Sequence, residues 1–540
     1  MKRIFAILFA AMLTSQVWAY NFSAECSSGQ TLYYIITSNM EPFTVKVTYP
    51  AWEYLGYEKP IGDLIIPETV SYYNGITYTV TSIENGAFNG CNGLTSISIP
   101  STITSIGYSA FKDCNNLKYN DFDNAHYLGN DGNPYHALIK VQSDDIVSCE
   151  IKSDCIVIAD EAFSTSAVES VIVSNTVKYI GYEAFRSCYK LKTINIPNSV
   201  VIIGSVAFNW CSSLPSINIP SSVKSIGYAA FADCRILTEI NVESDNTEYL
   251  SETGILFDKN KTTIICYPAG KTESTYSFPE TVTSIEGDAF NGCRGLTSIE
   301  IPDGITKINE GAFANCSNLT TVSIPESVIS IGYNAFYNCS SLNSVTIPNS
   351  VTSISSSAFD ACGIYNEDDD AYYLPNGDNS YYALMKVKSK DVSSYTINSS
   401  CKMIANNAFE NCTDLTSVTI GNSVENIGDY AFYNCDGLES ITIPESVKAI
   451  GDYAFQNCSN LADVEYNPFK TSVGRDAFWG TKYIESSTSE YDDGNLKYKI
   501  SIGAATVTGY TGEPESVTIP ATITVEGKDY PVTSIGCNAA

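Results

Sequence analysis

Hydrophobic and polar positions follow one sentence for most of the chain. An Ala-Phe pair is followed by a leucine six residues after the Phe, then by branched residues at alternate positions, and often by proline. The stretch "IGYNAFYNCSSLNSVTIPNSV", Ile331 to Val351, shows it cleanly. Fourteen such phenylalanines run from Phe88 to Phe478. Nine of the thirteen gaps between them are 23 residues, one is 22, and the others are 52, 59 and 50. A repeat of this length predicts a solenoid in which each coil adds one short strand and cannot bury its apolar face alone. Leu94, Leu319 and Leu342, with pairs such as Ile97/Ile99 and Val345/Ile347, read as inward positions of a period-two strand. Pro100, Pro325 and Pro348 close it, since proline cannot donate to a ladder. The following "SVTSIGxxAF" segment returns the chain on the other side. The prediction is a mainly β chain with short helical turns, built from coils of about 23 residues.

The outward strand positions lie eight and ten residues after each Phe. They include Ser96/Ser98, Thr321/Ser323 and Ser344/Thr346. This ribbon is short and mildly polar, without the aromatic and arginine anchors that dominate tight interfaces. It suits a solvated sheet, or a track of weak contacts that sum through avidity. Tyr108, Tyr182, Tyr228 and Tyr333, each three before its Phe, form another column, either packed on the next coil or facing a partner. Twelve of the fourteen phenylalanines have Cys three positions later; Ser166 and Thr481 are the exceptions. A column of cysteines on strands ~4.8 Å apart is slightly wide for disulfides, so buried thiols are expected. Any disulfides belong to the off-column Cys26, Cys149, Cys155, Cys266, Cys401 and Cys537, with metal binding a third reading.

The long gaps hold related modules. "NAHYLGNDGNPYHALIKV" (Asn124 to Val141) aligns without a gap to "DAYYLPNGDNSYYALMKV" (Asp370 to Val387). Both predict hairpins protruding beside the sheet. Tyr249 to Gly270 is a looser version with a second turn at Asp258 to Lys261. Tyr127, Tyr135, Tyr373, Tyr381 and Tyr382 are candidates for an exposed aromatic platform. Leu64 to Ile83 resembles Val517 to Ile535, each preceded by strand-like material. The expected organisation is an export signal at 1–19, a β-rich leader at 20–63 and a repeat array at 64–483. Insertions interrupt the array near 119–156, 243–281 and 363–402, and a C-terminal β module at 484–540 leads into a partial repeat. That last copy stops where the next Phe is due. It reads as a fragment of a longer design or as a cap without Phe, and an uncovered ladder edge is a route to self-association of an expected monomer.

Charge and chemistry narrow the function. Lys2 and Arg3, the apolar Ile4 to Leu13 and Val17-Trp18-Ala19 form an export signal. No later stretch has ~18 apolar residues. Sixty acidic residues against 30 basic ones give a net charge of −30, which argues against nucleic acid and anionic lipid as partners. The two histidines, His126 and His136, align with Tyr372 and Tyr382, which keep bulk and a polar tip but not a base near neutral pH. There is no HExxH, GxSxG or phosphate-binding glycine loop. Gly129 to Asn133, Asn376 to Asn379 and Asn366 to Asp370 are oxygen-rich, but turns explain the first two and none has the EF-hand pattern. No enzyme activity, metal or cofactor is expected.

The pattern "SIGYxAFxxCxxLxxxxIPxSV", met from Ser330 to Val351 and more loosely from Ser225 to Val242, resembles the BspA-like leucine-rich repeat proteins. The resemblance spans Leu64 to Tyr483, with a partial module at Leu496 to Ala540. It implies a leucine-rich repeat solenoid, a secreted or cell-surface setting common in Bacteroidetes, and adhesion to host proteins or other cells. It brings no catalytic residues. Three readings follow: an adhesion module for an extracellular protein, a structural spacer, or a non-catalytic glycan-binding accessory protein.

Overall fold

The computed structural model describes residues 20–49, 59–72, 75–467, 470–483, 489–493, 496–501, 504–510, 518–525 and 528–535. The expected export signal at 1–19, Cys537 and the end of the last module lie outside the described residues. The chain divides into two compact units, at Lys271 and Thr272.

Each regular coil makes two short parallel strands. One lies eight to ten residues after the Phe. In the first unit Ser170–Ile172 pairs with Thr193–Asn195, and Ser216–Ile219 with Glu239–Val242. The other precedes the Phe: Tyr179–Ile180, Ile202–Ile203 and Ser225–Ile226 form a second parallel ladder. The second unit repeats this, with Lys307–Ile308, Ser330–Ile331 and Ser353–Ile354 in one return ladder. Partners such as Val171 and Ile194 occupy the same place in successive coils, so each column meets itself.

Between the two strands runs an arc of tight turns. Within it Cys188 N–H donates to Phe185 O, at 3.2 Å. Glu183 and Ser187 have φ of 53° and 57°, which turns their N–H groups toward the next coil, where they donate to Ser205 O and Asn209 O. Phe185 N–H donates to Ala207 O. The short helical turns therefore take the form of linked turns whose alternate amides ladder between coils. The rings stack along the arc. Phe163–Phe185, Phe185–Phe208 and Phe208–Phe231 have centroids 4.7, 5.1 and 5.7 Å apart. In the second unit Phe409, Phe432, Phe455 and Phe478 stack at 4.8 to 5.2 Å.

The cysteine column consists of thiols. All 17 described cysteines are free. Nine in-column Sγ atoms reach the phenylalanine carbonyl of the preceding coil, among them Cys211 to Phe185 O at 3.2 Å, Cys234 to Phe208 O at 3.0 Å and Cys458 to Phe432 O at 3.0 Å. Thr481 Oγ1 donates to Phe478 O instead, and Ser166 Oγ lies 3.6 Å from Cys188 Sγ. Burial pushes the Cys188 and Cys234 thiols up to about 12, which withholds the thiolate. The expected result with iodoacetamide at pH 8 is slow native labelling that begins at the partly exposed Cys362, and rapid labelling of every cysteine in denaturant. Mass spectrometry would read the order. Rapid native labelling of Cys211 or Cys316 would contradict a sealed column.

The hairpins do not protrude, contrary to the sequence expectation. Ala125–Asn130 and Asn133–Val141 form a layer of the stack. The first touches Leu94–Ser98 through Gly129 and Ser98, and the second pairs in parallel with Val157–Ile158. Val141 N–H donates to Ala162 O, the bond a column phenylalanine makes elsewhere. Ala371–Asn376 and Asn379–Val387 do likewise, with Val387 donating to Ala408 O. Tyr249–Glu252, Ile255–Asp258 and Thr263–Cys266 form an antiparallel meander.

The terminal modules share one topology. Phe22–Glu25, Thr31–Ser38, Thr44–Thr48, Thr77–Ile83 and Thr69–Ser71 lie in that order across a sheet. Ser489–Asp492, Leu496–Ser501, Ala504–Tyr510, Lys528–Ile535 and Thr522–Val525 lie in the same order in the second unit. At the N-terminal end, Ser105–Ile106 joins Thr77–Ile83 in parallel.

Candidate functional surfaces

The ribbon faces outward as its alternation predicts. Thr321, Ser323, Ser344 and Thr346 are exposed. Ser96 and Ser98 are half-buried, because Gly62–Ile65 of the leader pairs with their strand. Ser96 Oγ donates to Asp63 Oδ1 at 2.6 Å, and with Thr95 this bond holds the Asp63 carboxyl below its usual range.

The tyrosine platform is overturned for its two central members. Tyr127 and Tyr373 are fully buried. Their hydroxyls accept the backbone N–H of Lys152 and Asn398, both at 3.3 Å. Tyr135 and Tyr381 stand edge-on against them, centroids 5.6 and 5.2 Å away, and are half-buried, as is Tyr382. The cause is the integration of the hairpin into the stack: its inward strand positions join the core rather than solvent. His136 is also buried, with Nε2 2.9 Å from Ile103 O, and burial lowers its pKa. His126 Nδ1 lies 2.6 Å from Asp121 Oδ1.

The arcs carry what the ribbon lacks. Tyr108, Tyr182, Tyr228 and Tyr333 are 41 to 56% exposed, so this column faces outward. Beside it, Tyr189, Trp210 and Ile236 are 45 to 51% exposed on three successive arcs. Backbone bonds from Ser187 N to Asn209 O and from Trp210 N to Ala232 O hold these arcs side by side. The Arg235 guanidinium sits 5.4 Å over the Trp210 ring, and Lys190 Nζ lies 5.7 Å from the Tyr189 ring. The result is a run of exposed aromatic and apolar side chains on three neighbouring arcs, with Arg235 held between the Trp210 ring and Asp233 Oδ1 at 3.4 Å. Sequence periodicity did not single it out, because turn positions follow no alternation.

In other coils an Asp or Asn side-chain oxygen three residues before the Phe accepts a backbone N–H from the next coil. Asp160 Oδ1 accepts Tyr182 N–H at 2.8 Å, Asn406 accepts Asp429 N–H, and Asp429 accepts Asp452 N–H. Burial pushes Asp160 up to about 6 despite the bond from Tyr182. A raised carboxyl favours folding while protonated: its contribution is full below the unfolded value near 3.9 and is lost as pH rises through 6. Asp160→Asn keeps the acceptor, as Asn406 does. It should raise stability at pH 7 by about 1–3 kcal/mol and leave it unchanged at pH 3.5. Urea unfolding at the two pH values reads this, and an equal effect at both would refute it.

The family model for the BspA type leucine rich repeat region matches residues 72–131, 141–257, 269–368 and 382–497, in six copies. The chain belongs to this family. Among solved structures, the pneumococcal vaccine antigen PcpA is 21% identical over 83% of this chain and 99% of its own, with a TM-score of 0.37. A leucine-rich repeat protein from Eubacterium ventriosum is 20% identical over 94% and 100%, with a TM-score of 0.34. A leucine rich cell surface protein from Faecalibacterium prausnitzii is 24% identical over 83% and 95%, with a TM-score of 0.30. The search of curated proteins returns no significant match. As a member of the BspA type family, the chain is a repeat scaffold. Among the described residues no helix is long and apolar enough to cross a membrane.

Proposed function

We propose that this repeat scaffold is a secreted or surface-held adhesion protein that binds an extracellular protein partner. The observation carrying the reading is the arc patch of Tyr189, Trp210, Arg235 and Ile236. Trp, Tyr and Arg are the residues that most often dominate binding energy. Here they sit on a backbone braced by coil-to-coil hydrogen bonds, so little order is lost on binding. The polar ribbon adds area and weak contacts. The names of two structural neighbours, an antigen and a cell surface protein, agree with a surface setting.

The test uses residues 20–540, as monomer and as an artificial multimer, against immobilised extracellular-matrix proteins and mucins. Saturable binding that strengthens on multimerisation and falls at least tenfold in Trp210→Ala/Arg235→Ala supports the reading. Binding unchanged by that double substitution removes the patch from it. No binding by a folded monomer or multimer favours the spacer reading.

A further inference from the structure

Each integrated hairpin interrupts the arc of Ala-Phe turns, and a cleft opens at the interruption. In the first unit it has a volume of about 240 Å³. Phe111 and Lys112 wall it on one side, Asp160 and Glu161 on the other, and Tyr119 and Lys140 come from the hairpin module. In the second unit a cleft of about 610 Å³ occupies the matching place, walled by Tyr337, Asp360, Tyr365, Glu367, Tyr372 and Lys386.

The same side-chain types recur at the same offset. Tyr119 and Tyr365, and Lys140 and Lys386, line the two clefts and lie 246 residues apart; Asp121 and His126, beside the first cleft, stand at the same offset from Glu367 and Tyr372, which line the second. Beside the first cleft the His126 ring packs on Tyr119 with centroids 4.9 Å apart, and Lys140 Nζ lies 5.6 Å from the Tyr119 ring. In the second, Tyr365 and Tyr372 are 6.1 Å apart, and Lys386 Nζ is 2.5 Å from Asp360 Oδ2. Lys388 Nζ is 2.8 Å from Glu367 Oε2 and 5.3 Å from the Tyr372 ring.

We infer that the two clefts are saccharide-binding subsites, each taking one ring of a neutral glycan. The aromatic walls offer a flat apolar face for the C–H side of a sugar ring. The lysine and carboxylate groups provide donors and acceptors for its hydroxyls. At the second cleft the charges are already matched: Lys386 with Asp360 and Lys388 with Glu367. A phosphate or a carboxylated ligand would meet the acidic partners, and a cation would meet the lysines. A neutral polyol avoids both costs. The smaller cleft lies below the ~300–1,000 Å³ of sites for drug-sized molecules, a scale that suits a single ring. Two copies of one weak subsite in one chain favour a repeating glycan over a free monosaccharide. This inference stands apart from the protein contact proposed on the arc.

The experiment presents residues 20–540 to immobilised neutral hexose and N-acetylhexosamine oligosaccharides, with calorimetric titration of any that bind. Binding in the millimolar range or tighter is expected. Tyr372→Ala should weaken binding at the second cleft at least tenfold, leaving the first, and Tyr372→His, which copies the residue at 126, should largely retain it. Lys140→Ala should reduce the stoichiometry, and Trp210→Ala/Arg235→Ala should leave sugar binding intact. Cys362 lines the second cleft and is partly exposed, so bound sugar should slow its alkylation in the unmodified protein even if a variant fails to fold. Absence of neutral-sugar binding, binding indifferent to Tyr372→Ala and Lys140→Ala, or Cys362 labelling unaffected by bound sugar would overturn the assignment. So would a peptide that binds in place of sugars and is lost with the same substitutions.

Discussion

Phe208→Ala is expected to cost about 3–5 kcal/mol of stability, the range for deleting a fully buried phenylalanine. The ring lies in a continuous stack, 5.1 Å from Phe185 and 5.7 Å from Phe231, and has no exposure. A hole there removes contacts to the coils on both sides. The neighbours cannot close in, because the coil-to-coil bonds, such as Phe208 N–H to Ala230 O, hold their spacing. In a linear array the damage should break the stack at that coil and broaden the urea transition. Ser344→Ala on the exposed ribbon should stay within about 0.5 kcal/mol. Circular dichroism during urea unfolding measures both. A loss under 1 kcal/mol for Phe208→Ala would mean that the stack relaxes and does not carry the fold.

Gly204→Ala is expected to destabilise by about 1–3 kcal/mol or more, although it adds only a methyl group. A Cβ at Gly204 would fall 2.5 Å from both C and O of Gly181 and 2.7 Å from Tyr182 N. These are backbone atoms of the preceding arc and have no rotamer to escape into. Gly421→Ala is the matched control, since the nearest atom there is 3.6 Å away, and it should be nearly neutral. Thermal melting of the two variants separates close approach from the general loss of glycine. If both lower the midpoint equally, coil spacing is not what selects glycine at 204.

Much of this was legible from the chain because stacked coils turn spacing into geometry. One 23-residue period located the phenylalanine stack, the thiol column and the outward ribbon. Eight of the fourteen phenylalanines have Gly four positions earlier, and Ala159 and Ala405 stand there in the coils after the two aligned hairpins. There the preceding layer is a hairpin strand, not an arc. The integration of the hairpins was not legible. Alternation says that one side of a strand is apolar, but not whether that side meets its own array or solvent, so Tyr127 and Tyr373 looked available and are core. The clefts had a signal: the gapless match extends upstream of Asn124 and Asp370 to Tyr119 and Tyr365. The Trp210 and Arg235 patch had none, because Trp occurs once in its column and Arg twice, at 235 and 294, without a common neighbour.

The thiol that bonds to a carbonyl instead of a second sulfur has a consequence for where such a chain can mature. Among the described residues nothing in the fold waits on an oxidant, a disulfide exchange or a particular glutathione balance. The described coils close by hydrogen bonding and the burial of apolar side chains, without a covalent cross-link. The same native state should therefore form in reducing and in oxygen-poor surroundings, and an excess of dithiothreitol should leave both its yield and its melting temperature unchanged.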